Sequence, residues 1–318
     1  MLPSVRTFLE GIIDYAGLFP PAELPLAQAM ANYLRYRNEP EGWMLGRFIC
    51  PAARLKELPA FRTDIGPIAP LRLTILGRGG KDVPEFMANL KLDLEDVVAL
   101  GREFAVAESY EVKLPVLLFG NNPSDLLRVG QIAGLMSAVA RLLDTVSLVP
   151  FYECPWPEPK AVDQFAEGLR MVGNRRAGWK LRCGGLQASA FPSPRQVARV
   201  LAESSAANIP WKATAGLHHP LRHFDEKLQT SMHGFVNVFG AGILAHALVK
   251  TGSFDNEIET MLADEDASHF VVSEAGFSWK EHRATTEAIR LARQDFVTSF
   301  GSCSFDEPRD DLRRLGWI

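Results

Sequence analysis

From end to end the chain alternates between short β-rich runs and longer stretches of helical periodicity, and this alternation limits its possible folds more than any other feature. The β-rich runs fall at 14–19, 45–50, 71–76, 110–116, 146–152, 177–182, 209–214, 234–239 and 270–274, most of them bounded by Gly or Pro. Helical spacing of apolar residues covers 24–37, 83–104, 124–144, 160–172, 193–207 and 280–297. Ser124 is a candidate N-cap, and Pro194, just after Ser193, suits a first helical turn. Successive runs begin roughly 25–40 residues apart, the size of a βα unit. Strands that alternate with helices imply a parallel sheet covered on both faces. Eight or nine such units point to a (β/α)8 TIM barrel, with an open doubly wound sheet as the competing arrangement. Nine candidates for eight places leave the register open by one unit. Either Asp14–Phe19 opens the barrel and 270–274 is extra, or the barrel begins near Leu45. No Gly/Ser-rich linker divides the chain. The expected organisation is a single barrel domain over 1–318, with 275–318 as a C-terminal helical extension whose apolar end packs against the body.

Composition removes several functions from consideration. Lys plus Arg number 34 and Asp plus Glu 38, a net charge of −4, which argues against a nucleic-acid binder. Four cysteines at 50, 154, 183 and 303 form no CxxC pair and read as reduced thiols of a cytoplasmic protein. Glu10 and Asp14 interrupt any signal-peptide core. The longest apolar stretch, around 125–150, contains Arg128, Arg141 and Asp144, so no membrane span is expected. The expected partner is a small molecule, phosphorylated or carboxylated, with a homo-oligomer left open and no cofactor or metal called for.

Side-chain phase along the strands selects the candidate site. Alternate residues of a barrel strand face the interior and the helix layer. Trp179, Leu181, Trp211 and Ala213 belong against the helices, which turns Lys180, Arg182, Lys212 and Thr214 inward. The same reasoning places Asn237 inside, between Val236 and Val238, and puts Glu153 on the phase of Val149 and Phe151. Glu111 and Lys113 share one face, opposite Tyr110, Val112 and Leu114. Two neighbouring strands thus bring one lysine each to the same mouth. A like charge and partial burial both favour a neutral amine, the nucleophile needed for Schiff-base chemistry. The alternative is that Lys180 and Lys212 are structural residues in ion pairs, for example with Glu153.

At these residues the chain resembles the deoxyribose-phosphate aldolase type of class I aldolase, whose lysines lie in KTSTG-like and KASGG-like segments on adjacent barrel strands. Lys180-Leu181-Arg182-Cys183-Gly184 and Lys212-Ala213-Thr214-Ala215-Gly216 stand in those places, 32 residues apart. Ile13-Asp14-Tyr15 through Pro20 resembles the opening strand, Arg47-Phe48-Ile49-Cys50-Pro51 the second, and Gly240-Ala241-Gly242 falls where a phosphate-contacting turn would lie. The resemblance spans roughly residues 12–250. It implies that Lys180 forms the Schiff base and that Lys212 lowers its pKa. Lys113 stands where that family has an acidic proton relay, and Leu-Arg-Cys replaces a hydroxyl-bearing segment. DYAGLFPPA and KATAGLHHP also resemble segments of a bacterial family with no assigned function.

Histidines and glycines complete the candidates. His218, His219, His223 and His233 cluster just after the Lys212 strand. His218 or His219 could transfer protons, could bind a divalent metal with Glu153 and His233, or could simply structure the loop. Gly184, Gly185, Gly216, Gly240 and Gly242, with Arg182 and Arg222, are candidates for holding an anionic group. Asp14 and Arg47, near the ends of early strands, either contact substrate or pair with each other. The expected function is a class I, Schiff-base carbon–carbon lyase acting through Lys180, Lys212, Glu153, His218 and Lys113 on a small anionic carbonyl compound. The alternatives are a metal-dependent barrel hydrolase or isomerase, and a non-catalytic small-anion-binding barrel.

Overall fold

In the computed structural model, residues 1–66, 69–119, 125–154, 159–173, 177–249, 254 and 256–318 are described. Ser124 and the segment 155–158 that follows Cys154 lie outside the described residues. The strands, in chain order, are β1 (Ile13–Tyr15), β2 (Leu45–Pro51), β3 (Leu71–Leu76), β4 (Ala105–Lys113), β5 (Val149–Glu153), β6 (Gly178–Arg182) and β7 (Trp211–Thr214). They continue with β8 (His223–Asp225), β9 (Thr230–Met232), β10 (Phe270–Ser273), β11 (Gly276–Trp279), β12 (His282–Thr285) and β13 (Val297–Ser302). Strands β1–β7 and β13 close into a parallel barrel in the order β1-β13-β7-β6-β5-β4-β3-β2. The chain therefore has the (β/α)8 TIM-barrel fold. Among the described residues, no helix is long and apolar enough to cross a membrane.

The strand phases follow the expected alternation. Trp179 and Trp211 are fully buried against the helix layer. Trp179 packs on Phe165 of the helix Pro159–Val172, with ring centroids 4.7 Å apart. Trp211 packs on Phe239 at 5.0 Å. Lys180 and Lys212 are direct neighbours in the β6–β7 register and point the other way.

Two expectations are corrected and one open choice is settled. First, 234–239 is not a strand but the start of a helix, Phe235–Leu248, buried on every side as far as Ala245. A helix that is apolar all round looks the same as a core strand over six residues, and periodicity cannot separate them. Its first N–H groups donate to the carbonyls of His219 and Pro220. Second, of the two registers left open, the structure has β1 opening the barrel and 270–274 outside it, as an edge of the antiparallel sheet β10-β11-β12. Third, the eighth barrel strand is Val297–Ser302, so 275–318 is not a helical extension. That stretch holds β11, β12 and β13 together with the helices Thr286–Asp295 and Asp306–Arg314. Ser299 and Gly301 weaken the apolar signal of β13. Ser299 points to Asp14 inside the barrel, and a Cβ on Gly301 would meet Ile49 at 3.0 Å. Next to the last residue of the chain, Trp317 packs edge-on against Phe8, 5.7 Å between centroids.

Candidate active site at the barrel mouth

Four neighbouring strands carry the charged groups of the interior, β4 to β7, and β1 adds one more. Lys180 Nζ on β6 lies 3.0 Å from Glu111 Oε2 on β4 and 3.2 Å from Glu153 Oε2 on β5. Lys212 Nζ on β7 lies 2.6 Å from Glu111 Oε1 and 2.8 Å from Asp14 Oδ2 on β1. Arg182 Nη1 completes the series, 3.5 Å from Glu153 Oε1. The sequence Asp14, Lys212, Glu111, Lys180, Glu153, Arg182 thus alternates in charge without a break. Neutral groups tie down its inner end. Ser299 Oγ and the Arg47 backbone N–H donate to Asp14, at 2.7 and 2.8 Å, and Lys212 Nζ also donates to Thr74 Oγ1 at 3.3 Å.

Ionisation follows from competition between burial and these partners. Burial opposes the charge on Asp14, but Lys212 and Arg47 outweigh it and bring its pKa down to about 2. Burial likewise disfavours ionised Glu111, and Lys212 and Lys180 reverse the balance, so its pKa falls. For Lys180, burial favours the neutral amine, yet Glu111 and Glu153 outweigh it and raise the pKa. This overturns the expectation that Lys212 keeps Lys180 neutral. The two lysines do not face each other bare. The Glu111 carboxylate stands between them, and the resting Lys180 is an ammonium ion.

Only one of the two lysines meets the cavity at the mouth. A space of about 250 Å³ is lined by Glu111, Lys180, Arg182, Gly185, Thr214, Gly216, His218 and Cys303, among others. Lys212, 1% exposed, lies beneath it. Glu153 and Lys113 border a neighbouring cavity that Arg182 shares. Lys113 is exposed at the end of β4. It does not replace an acidic group on that strand, because Glu111, two residues earlier and on the same phase, occupies the interior position.

Most of the remaining candidates sit outside that cavity. Asn237 is not inside the barrel. Its Oδ1 accepts from the Arg222 N–H at 2.8 Å, and its Nδ2 donates to the carbonyls of Met261 and Asp264 at 2.8 and 2.7 Å. Gly240 and Gly242 lie mid-helix and form no phosphate turn. A Cβ on Gly240 would meet Met261 and Phe277 at 2.7 Å, and one on Gly242 would collide with the Trp211 ring. Gly184 is a packing residue too, since its Cβ would lie 2.8 Å from Gly216 Cα. Gly216 has φ +71°, a left-handed conformation that suits glycine. Arg47 bonds Glu108 through Nε at 2.8 Å and lies 3.7 Å from Asp14, so the ion-pair alternative describes both. Arg222 lies 3.8 Å from Glu265.

The histidines do not assemble the suggested metal set with Glu153. His218 Nδ1 lies 3.2 Å from Glu307 Oε2, and His219 Nδ1 pairs with Asp311. His233 is sealed, with Nε2 on the Pro192 carbonyl at 2.7 Å, and burial pushes its pKa down to about 4. Among the described residues, no group of three or more His, Cys, Asp or Glu side chains is placed to hold a metal ion. Hydrogen bonds to Cys303 and Glu307 outweigh burial at His218 and raise its pKa to about 9. At neutral pH it is therefore a cation on the cavity wall rather than a general base.

Glu111, Thr74, Ser299 and Cys303 are not among the candidates that the sequence singles out. Glu111 has a usable signal all the same. Two inward lysines in an apolar barrel require carboxylates, and Glu111 shares the phase of Lys113 on a nearby strand.

No protein-family model and no curated protein matches the sequence. Solved structures similar to it include QR15, an aldolase, at 12% identity and a TM-score of 0.43, covering 66% of this chain and 80% of that one. Another is the IolI protein, solved with a zinc atom, at 12% identity and a TM-score of 0.40, covering 65% of this chain and 70% of the other. At these values the likeness adds nothing to what the barrel's own hydrogen bonding establishes.

Proposed function

We propose that the protein is a Schiff-base-forming carbon–carbon lyase whose nucleophile is Lys180. The observation that supports this most is the placement of Lys180 Nζ on the cavity wall, within 3.2 Å of a carboxylate able to take its proton. The ammonium of Lys180 passes a proton to Glu153, and the freed amine attacks the carbonyl carbon. Glu153 then returns the proton to the carbinolamine oxygen, water leaves, and an iminium forms that stabilises the carbanion of C–C cleavage. Lys212 is a positioning residue. It holds Glu111 and Asp14 and does not reach the cavity. Arg182, Thr214 and the His218 cation offer contacts for an anionic group of the substrate.

Iminium formation labilises the hydrogens next to a carbonyl, which gives a test that works whatever the cleavage product is. Small aldehydes, ketones and sugar phosphates in D2O are followed by proton NMR with the wild-type protein and with Lys180→Met. Exchange of the α-hydrogens by the wild type that is lost in Lys180→Met supports the proposal. Full exchange by Lys180→Met refutes it.

A second, non-covalent reading draws on the raised pKa of Lys180. The ammonium would polarise a carbonyl oxygen without forming a bond to carbon, and Glu153 would remove the α-hydrogen. That reading also loses exchange in Lys180→Met but yields no reducible adduct.

A further inference from the structure

Cys303, the first residue after β13, differs from every other cysteine of the chain. Cys50, Cys154 and Cys183 are sealed in the interior, and burial raises the pKa of each, that of Cys50 to about 12. Cys303 is partly exposed and lines the Lys180 cavity. It does not stand alone there. His218 lines the same cavity, and Cys303 is among the groups that raise its pKa. The other partner of His218 is Glu307 Oε2, 3.2 Å from Nδ1, on the first turn of the helix Asp306–Arg314. A sulfur, an imidazole beside it and a carboxylate orienting the imidazole are the three parts of an activated thiol nucleophile. Three separate pieces of chain bring them together: the end of β13, the loop after β7 and the C-terminal helix.

We propose that Cys303, His218 and Glu307 form a second nucleophilic site on the cavity wall, at which Cys303 exchanges with small-molecule disulfides. In the reaction Cys303 Sγ attacks one sulfur of R–S–S–R. A new S–S bond forms to Cys303, the original S–S bond breaks, the cysteine proton passes to solvent, and RS⁻ departs beside the His218 cation. A free thiol reverses the step, so no net oxidant beyond the disulfide is needed. The modified sulfur would occupy part of a space of only about 250 Å³. The inference does not depend on imine chemistry at Lys180, because every readout below is a sulfur reaction.

The test uses the native full chain and 5,5′-dithiobis(2-nitrobenzoate), an aromatic disulfide with a coloured leaving thiolate. The expected result is one fast equivalent of released thiolate, with the other three cysteines reacting only after denaturation. Cys303→Ser should lose the fast equivalent, and peptide mass mapping should place the adduct on Cys303. His218→Gln should slow the fast phase on the order of ten-fold, and Glu307→Gln by a smaller factor. Glu307 is 53% exposed, so its substitution probes the site with the fold intact even if His218→Gln fails to fold. The proposal is overturned if no equivalent reacts in the native protein, or if the fast equivalent persists in Cys303→Ser. Unchanged rates in both His218→Gln and Glu307→Gln overturn it as well.

Discussion

Glu111→Gln isolates the electrostatic role of the carboxylate that separates the two interior lysines. The substitution keeps the size and shape of the side chain and removes only its charge. In the native protein the two Nζ atoms lie 3.0 and 2.6 Å from the two oxygens of that carboxylate. They are hence no more than about 8 Å apart, and at an effective dielectric of about 20 their bare repulsion costs about 2 kcal/mol. Lys180 keeps Glu153 and Lys212 keeps Asp14, so neither charge is orphaned. The expected loss is therefore that repulsion, about 2 kcal/mol. With a urea m-value of about 3 kcal/mol/M, the unfolding midpoint falls by about 0.7 M. The alkaline limb supplies a second signature. The folded-state pKa of Lys180 is raised, so its contribution is fully present below the unfolded lysine value and is lost as pH rises through the folded value. Without Glu111 that pKa moves down, and the alkaline loss of stability shrinks or reverses. Urea titrations of both proteins between pH 7 and pH 11 read both effects. A variant within about 0.5 kcal/mol of the wild type that retains its alkaline limb would refute the reasoning.

Further outcomes follow from other parts of the same array and its surroundings. The Asp14 pKa falls from 3.8 to about 2 on folding. Its contribution of roughly 2 kcal/mol is present above the unfolded value and lost as pH falls through about 2, so acid titration of Asp14→Asn should lack that component of the acid limb. Gly242→Ala drives a methyl into the Trp211 ring and should cost about 1–3 kcal/mol, read by thermal unfolding on tryptophan fluorescence; an unchanged melt would show that the helix has room to shift. The His218 ring should titrate near pH 9 by NMR and move down in Glu307→Gln. An ordinary imidazole titration in the wild type would remove the cation from the cavity wall.

Much of the barrel was legible in the sequence because its first seven strands carry the alternation in full. Trp179 and Trp211 mark the outward phase so clearly that the inward direction of Lys180 and Lys212 follows from them. The failures have a common physical origin. Phe235–Leu248 is a helix with no polar face, so its pattern carries no period. Val297–Ser302 fills its inward places with Ser299 and Gly301, so a genuine barrel strand looks like the tail of a helix. At the site, the lysines were legible, but their ionisation was not. Whether two lysines repel or are separated by a carboxylate depends on where Glu111 reaches across the barrel, and strand phase does not encode that distance. His218 illustrates the same limit, since its two partners come from residues 303 and 307, far along the chain.

The most direct test of the account is reductive trapping at Lys180. The protein is incubated with the same carbonyl panel, reduced with borohydride, and its adducts are mapped by peptide mass spectrometry in the wild type, Lys180→Met and Glu153→Gln. The account predicts one stoichiometric adduct on Lys180 in the wild type, none in Lys180→Met and a slower yield in Glu153→Gln. An adduct on Lys212 or Lys113, or no adduct from a carbonyl whose α-hydrogens the protein exchanges, would contradict it.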